Sequence, residues 1–214
     1  MLGLDIQTLL VTIPAIIIGL TFHEFAHAWV SHLLGDDTAK ASGRVSLNPL
    51  VHIDPLGFLF IVFAGFGWAK PVMFDSTQLK HKHRDEILVA LAGPVMNMLL
   101  TVLFFGIARI LYMFPYFYTT DNGVQLLNVM ITFRVMNLGL GLFNLIPIPP
   151  LDGSHIYMTF VQSVNPKLMF NLYRYGTLAL FGILIIQNQF NITILPISSG
   201  IKVVVNFLFR VMQF

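Results

Sequence analysis

Long stretches of this chain are almost free of charge, and that excludes a globule wetted on all sides. A bilayer-crossing helix needs about 20 mostly apolar residues. Four regions are long enough or nearly so: Ile6 to Leu34, Ile87 to Phe114, Val124 to Pro147, and Leu172 to Phe214. Of the 214 residues, 56% are hydrophobic and 10% charged, and the mean hydropathy is +0.78. A soluble domain carries roughly 25% charged residues, so lipid is the medium that accepts such a surface. The last region is interrupted by Gln187 to Asn191 and Pro196 and reads as two short spans. The expected fold is an all-α polytopic membrane protein with about five transmembrane helices. Residues 1–165 form a core with spans at 6–34, 87–114 and 124–147, and 166–214 add C-terminal membrane helices.

The first ten residues hold Asp5 and no Lys or Arg. The basic start of a cleavable signal peptide is therefore missing, and the first span is expected to be retained. A net charge of +2 makes no case for a nucleic-acid partner. With no cysteine, any metal site must be built from His and carboxylate.

Between the first two spans lies a shorter apolar run, Leu56 to Trp68, flanked by Asp54-Pro55 and Lys70-Pro71 and containing three glycines. It is too short to cross as a straight helix and suits a re-entrant hairpin, with a short β element, within residues 50–74. The distribution of Lys and Arg supports this. Lys40 and Arg44 follow the first span, Lys70, Lys80, Lys82 and Arg84 precede the second, and Lys167 and Arg174 follow the third. All fall on one side if the run dips in and returns. That side is expected to be cytoplasmic in a prokaryotic cell membrane, with the amino terminus outside.

The first span contains His23-Glu24-Phe25-Ala26-His27. On a helix, residues four apart share a face, so His23 and His27 can aim at one metal ion. Glu24 stands about a third of a turn from His23, within reach of a water on that metal. Zinc in hydrolytic sites takes three protein ligands and keeps a fourth position for water, and a neighbouring carboxylate accepts that water's proton. A third ligand should come from another helix. Pro147, Pro149 and Pro150 end the third span and leave an extended stretch that presents Asp152. Asp152 suits either a metal ligand or the N-cap of a helix over Ser154 to Val164.

Together these residues resemble the site-2 protease family of intramembrane zinc metalloproteases, in its small bacterial and archaeal branch without a PDZ domain. The resemblance rests on His23-Glu24-x-x-His27 and on Asn144-x-x-Pro147-x-x-x-Leu151-Asp152-Gly153. It extends through Gly43-Arg44-Val45-Ser46-Leu47-Asn48-Pro49, His52-Ile53-Asp54-Pro55-Leu56-Gly57, Gly67-Trp68-Ala69-Lys70-Pro71-Val72 and Ala92-Gly93-Pro94-Val95-Met96-Asn97. It implies one zinc ion per chain on His23, His27 and Asp152, with Glu24 as catalytic base. Asn144 would contact the substrate carbonyl, and Asn97 and His52 are further candidates on the substrate side. The implied substrate is a membrane-anchored protein, cut within or beside a transmembrane helix in the lipid bilayer. Such a substrate must unwind locally, and residues 43–75 could offer it a strand edge. The oligomeric state is not legible.

Other polar residues carry simpler expectations. His155 could approach the metal on a helical turn, His32 sits at the interface, and His81 and His83 are solvated. Arg109 and Arg134 snorkel toward headgroups. A metal-ion or proton transporter is the alternative reading, since buried His and carboxylate groups also mark ion pathways.

Overall fold

The computed structural model describes residues 6–64, 67–190 and 192–211. Its elements are α1 (Ile6–Leu33), α2 (Thr38–Ala41), a 3-10 turn at Pro49–Val51, α3 (Pro55–Ala64), α4 (Lys82–Tyr112), α5 (Tyr116–Thr119) and α6 (Asp121–Asn144). A second 3-10 turn at Asp152–Ser154 leads into α7 (His155–Val164), α8 (Pro166–Phe190) and α9 (Ile197–Val211). Four of these, α1, α4, α6 and α8, are long and apolar enough to cross a membrane, and the chain is a multi-pass membrane protein. The C-terminal region does divide into two helices. However, α9 has 15 residues, about 22 Å of helix, which falls short of a straight crossing.

Helices α1, α4 and α6 pack on one another and form the core. Lipid tails are as apolar as side chains, so helices associate in a membrane through close packing and hydrogen bonds. Glycines make that approach possible here. A Cβ on Gly19 of α1 would stand 2.7 Å from Leu140 of α6, and one on Gly93 of α4 would stand 2.6 Å from the His23 ring. Asn97 of α4 and Asn137 of α6, both fully buried, then close the polar contacts. Asn97 Nδ2 donates to Gly19 O (3.0 Å) and to Asn137 Oδ1 (3.1 Å), and Asn137 Nδ2 donates to Phe133 O (2.8 Å).

The segment between α1 and α4 enters and leaves on one side. Helix α3 has 10 residues, about 15 Å, or half the hydrocarbon thickness. After it the chain returns to form an antiparallel bridge, Ile53 with Ala69, and Lys70 N donates to His52 O (2.8 Å). Gly57 and Gly67 touch where the two arms cross, and neither has room for a Cβ. Residues 50–74, expected as a re-entrant hairpin, thus hold one short helix and a returning arm joined by the Ile53–Ala69 bridge.

Beyond α6 the backbone is not extended, as the prolines suggested, but runs through consecutive tight turns. Ile148 N donates to Ile146 O, Leu151 N to Ile148 O, and Ser154 N to Leu151 O. These bonds satisfy irregular backbone inside a low-dielectric medium. Gly153 lies against the carbonyls of Leu145 and Ile146, with no space for a side chain. Helix α8 is peripheral. Leu180 is its buried residue and packs with Leu151 and Leu195. Gln187 Oε1 accepts from Ile194 N (3.2 Å) and Leu195 N (3.0 Å), which folds the α8–α9 connection back toward that cluster.

Two surface expectations are corrected. Arg134 does not snorkel. It is buried, with its guanidinium 5.0 Å from the Phe105 ring centre and 5.7 Å from that of Phe209, because α9 covers it. His83 is not a solvated loop residue either. It shares a hydrogen bond with Thr159 Oγ1 (2.9 Å) and stacks on Phe160, fastening the start of α4 to α7.

Candidate metal centre

His23 and His27 stand one turn apart on the buried face of α1. Each ring is oriented by a bond to α4 through its Nδ1. His23 Nδ1–H donates to Asn97 Oδ1 (2.7 Å), and His27 Nδ1–H donates to the Val89 carbonyl (2.7 Å). The Asn97 assignment follows from its neighbours: its amide nitrogen already donates to Gly19 and Asn137, so its oxygen faces the imidazole. With each proton on Nδ1, both Nε2 lone pairs point into the same space. Bonds of this kind fix the tautomer and orientation of metal-ligating histidines.

Asp152 completes the arrangement from the other end of the core. Its Oδ2 is 3.1 Å from His23 Nε2 and 3.4 Å from His27 Nε2, and the two Nε2 atoms are 3.1 Å apart. This Oδ2 is buried and accepts no hydrogen bond. With both ring protons on Nδ1, three electron pairs converge, an arrangement that repels itself unless a metal ion or a proton lies at its centre. The size fits as well. Donors about 2.0–2.1 Å from a tetrahedral zinc ion are separated by about 3.3 Å, close to the sides of this triangle. The nitrogen and oxygen donors suit a first-row divalent ion of that kind. Asp152 makes no cap bond to α7, which begins after Ser154.

The remaining candidates separate by position. Glu24 is buried beside His23 and makes no hydrogen bond or ion pair among the described residues, so its carboxylate is uncommitted. Asn144, the last residue of α6, is half-buried, and its amide nitrogen donates back to Leu140 O (3.1 Å). Asn97 reaches the metal triad only through the His23 ring. His52 is fully buried, with Nε2–H donating to Ser46 O (2.7 Å), and sits inside the base of the hairpin rather than on a surface. His155 is not among the donors that converge within 4.8 Å. Its ring centre is 6.3 Å from that of Phe74, on the arm returning from the hairpin.

Residues 11–186 match the model of peptidase family M50. The chain belongs to peptidase family M50. Curated relatives include YwhC of Bacillus subtilis (strain 168), 42% identical over 149 residues, covering 66% of this chain and 64% of that one. Rip2 of Mycolicibacterium smegmatis is 31% identical over 157 residues, 71% of this chain and 56% of its own. Rip2 of Mycobacterium tuberculosis is 31% identical over 142 residues, 64% of this chain and 52% of its own. All carry "Putative zinc metalloprotease" in their names. The matches span between half and two thirds of the length of these relatives. No solved structure matches. Membership of M50, the site-2 protease family, gives the metal triad a context that its geometry alone lacks.

Sequence reasoning missed several residues. Asn137 looked like a polar residue in an apolar span, and only its distance from Asn97 gives it a role. Val89 contributes a carbonyl, which no side-chain pattern signals. Arg44 lies in a basic loop, yet it is buried and bonds to the carbonyls of Val51 and Lys70.

Proposed function

We propose that this M50 protein is an intramembrane metallopeptidase that hydrolyses a peptide bond of membrane-anchored proteins, with one zinc ion per chain held by His23, His27 and Asp152. The observation that carries this reading is the convergence of three unprotonated donor atoms at zinc-sized spacing inside a membrane protein. When bound, the ion supplies Lewis acidity toward water and toward a carbonyl oxygen. The protein's own groups do the rest. Asn97 and Val89 hold both imidazoles in the donor tautomer. Glu24 takes up a proton from water and returns it to the leaving amine. Asn144, once its amide turns from Leu140 O, donates to the developing oxyanion.

The hairpin suits an unwound substrate. The backbone of residues 71–74 makes no hydrogen bond among the described residues. Alternate residues of an extended strand present their polar groups to opposite edges. Those of Lys70 are committed inward, so those of Ala69, Pro71 and Met73 face the open side. Phe74, at the end of this edge, lies against His155, three residues beyond Asp152, which supports a substrate strand running toward the metal triad. The basic loops support a site toward the cytoplasm of a prokaryotic cell membrane, with the amino terminus outside. His27 lies six residues before the end of α1, about 9 Å from it, which supports a site below the headgroups. Residues 1–165 carry this machinery, and 166–214 flank it.

The test is metal analysis of purified protein beside cleavage of a single-pass substrate. Glu24→Gln keeps stoichiometric zinc and loses about 10²–10⁴-fold in rate. Asp152→Asn loses the metal. A transporter would keep its activity in the Glu24 variant, and that result would end the peptidase reading.

A further inference from the structure

An edge strand is useful only if it stays extended when no partner is bound, and four residues without backbone hydrogen bonds would not do so unaided. Residues 71–74 are tied at both ends by buried charged side chains. At the leading end stands Arg44, 6% exposed, whose Nη1 and Nη2 donate to Val51 O and Lys70 O on the two arms of the hairpin. His52, buried beneath it, accepts Lys70 N through its own carbonyl. At the trailing end stands Asp36, fully buried, whose Oδ2 accepts Asp75 N (2.8 Å) and Ser31 Oγ–H (2.8 Å) while Oδ1 accepts Thr38 N (2.9 Å). Asp36 joins Asp75 to the end of α1, the helix that carries both histidines. Arg44 joins Lys70 to the entry arm of the hairpin. The edge is therefore fixed in register relative to the metal triad. Between the ties, Val72 and Phe74 turn their side chains inward while Pro71 and Met73 face out. Proline costs nothing on the open edge, since it only removes a donor.

We propose that Arg44 and Asp36 are positioning residues that hold residues 71–74 extended and in register for substrate pairing. Neither bonds to His23, His27 or Asp152. Charge-assisted bonds such as these are about twice as strong as neutral ones, and their burial keeps water from replacing them. The proposal rests on the peptidase reading for its purpose, but its physical content is a property of the resting protein.

The experiment uses the full zinc-loaded chain in lipid nanodiscs, with Arg44→Gln, Arg44→Lys and Asp36→Asn. Hydrogen exchange at the hydrogen-bonded amides that close the segment, Lys70 N on His52 O and Asp75 N on Asp36 Oδ2, should rise by about tenfold or more in Arg44→Gln and Asp36→Asn respectively, with exchange in α1 and α4 unchanged. Zinc content should stay at the wild-type level. On a single-pass substrate, KM should rise about tenfold with kcat within about twofold, as for loss of uniform binding. Arg44→Lys can satisfy one carbonyl and should fall between wild type and Arg44→Gln on both readouts. Unchanged exchange at Lys70 and Asp75 overturns the proposal, and so does exchange that rises equally throughout α1 and α4, or zinc that is lost with the clamp. If the wild-type protein cleaves nothing, the peptidase reading fails, while the exchange measurement still decides whether these two residues hold the edge.

Discussion

The helical core and the hairpin meet the same difficulty, backbone and polar groups within lipid, in opposite ways. In α1, α4 and α6 each polar side chain of the network ends on a partner: His23 on Asn97, Asn97 on Gly19 and Asn137, Asn137 on Phe133. Within this chain of bonds the groups left over among the described residues are the Nε2 lone pairs of His23 and His27, which converge with Asp152 Oδ2. In the hairpin the ends are tied and the middle is left open. A metal site gains from a closed network, because each unmade bond would be costly at that depth. A surface that must accept another chain needs unmade bonds held in place. The difference teaches that rigidity and availability are assigned to separate segments, joined at the end of α1.

The contrast can be broken at the core first. Gly93→Val places a side chain where the His23 and His27 rings stand. Such overpacking costs about 1–3 kcal/mol, and because the rings themselves must move, stoichiometric zinc should be lost in metal analysis. Next, Asn97→Ala removes the acceptor of His23 Nδ1–H, and zinc affinity in a chelator competition should fall about 10–100-fold. Asn137→Leu acts one bond further away and should sit at the low end of that range, about tenfold. If Asn137→Leu left zinc affinity untouched, the network would end at Asn97 and the core would be less closed than described. By contrast, Ile185→Ala on exposed α8 should change stability by no more than about 0.5 kcal/mol in a thermal unfolding assay and leave zinc affinity alone.

The smallest effect is one of pH. Burial alone would raise the Asp36 carboxyl, but hydrogen bonds from Thr38, Ser31 and Asp75 outweigh it and hold it below its ordinary value. A group of this sign gives its full contribution above the ordinary carboxylate range, near about 3.9, and loses it only as pH falls through the lower folded value. The ratio of KM between Asp36→Asn and wild type should therefore be flat from about pH 8 to pH 5. A ratio that shrinks toward unity within that interval would mean the clamp is already titrating.

Much of the fold was legible because its constraints are local. A run too short to cross, bounded by prolines and basic residues, gave the hairpin. The i, i+4 histidines gave two of the three donors of the candidate metal site. The prolines after Asn144 marked where the third donor would be presented, although the chain gets there by tight turns rather than an extended stretch. What stayed hidden depends on contacts distant in sequence. Arg44 reads as a loop cation because nothing near it reveals two carbonyls waiting 7 and 26 residues away. Arg134 suggested snorkelling because the helix that buries it arrives more than sixty residues later, with Phe209. Asn97 fitted the substrate side on residue type, and only the helix packing reveals that it braces His23.

The origin of the three donors has a consequence for biosynthesis. Two arrive with the first helix to enter the bilayer, and the last is made only after α6 has been threaded. A half-synthesised chain thus carries the pair of imidazoles without the carboxylate that completes the triad, and under the proposed function it stays unarmed until the chain beyond α6 has folded back.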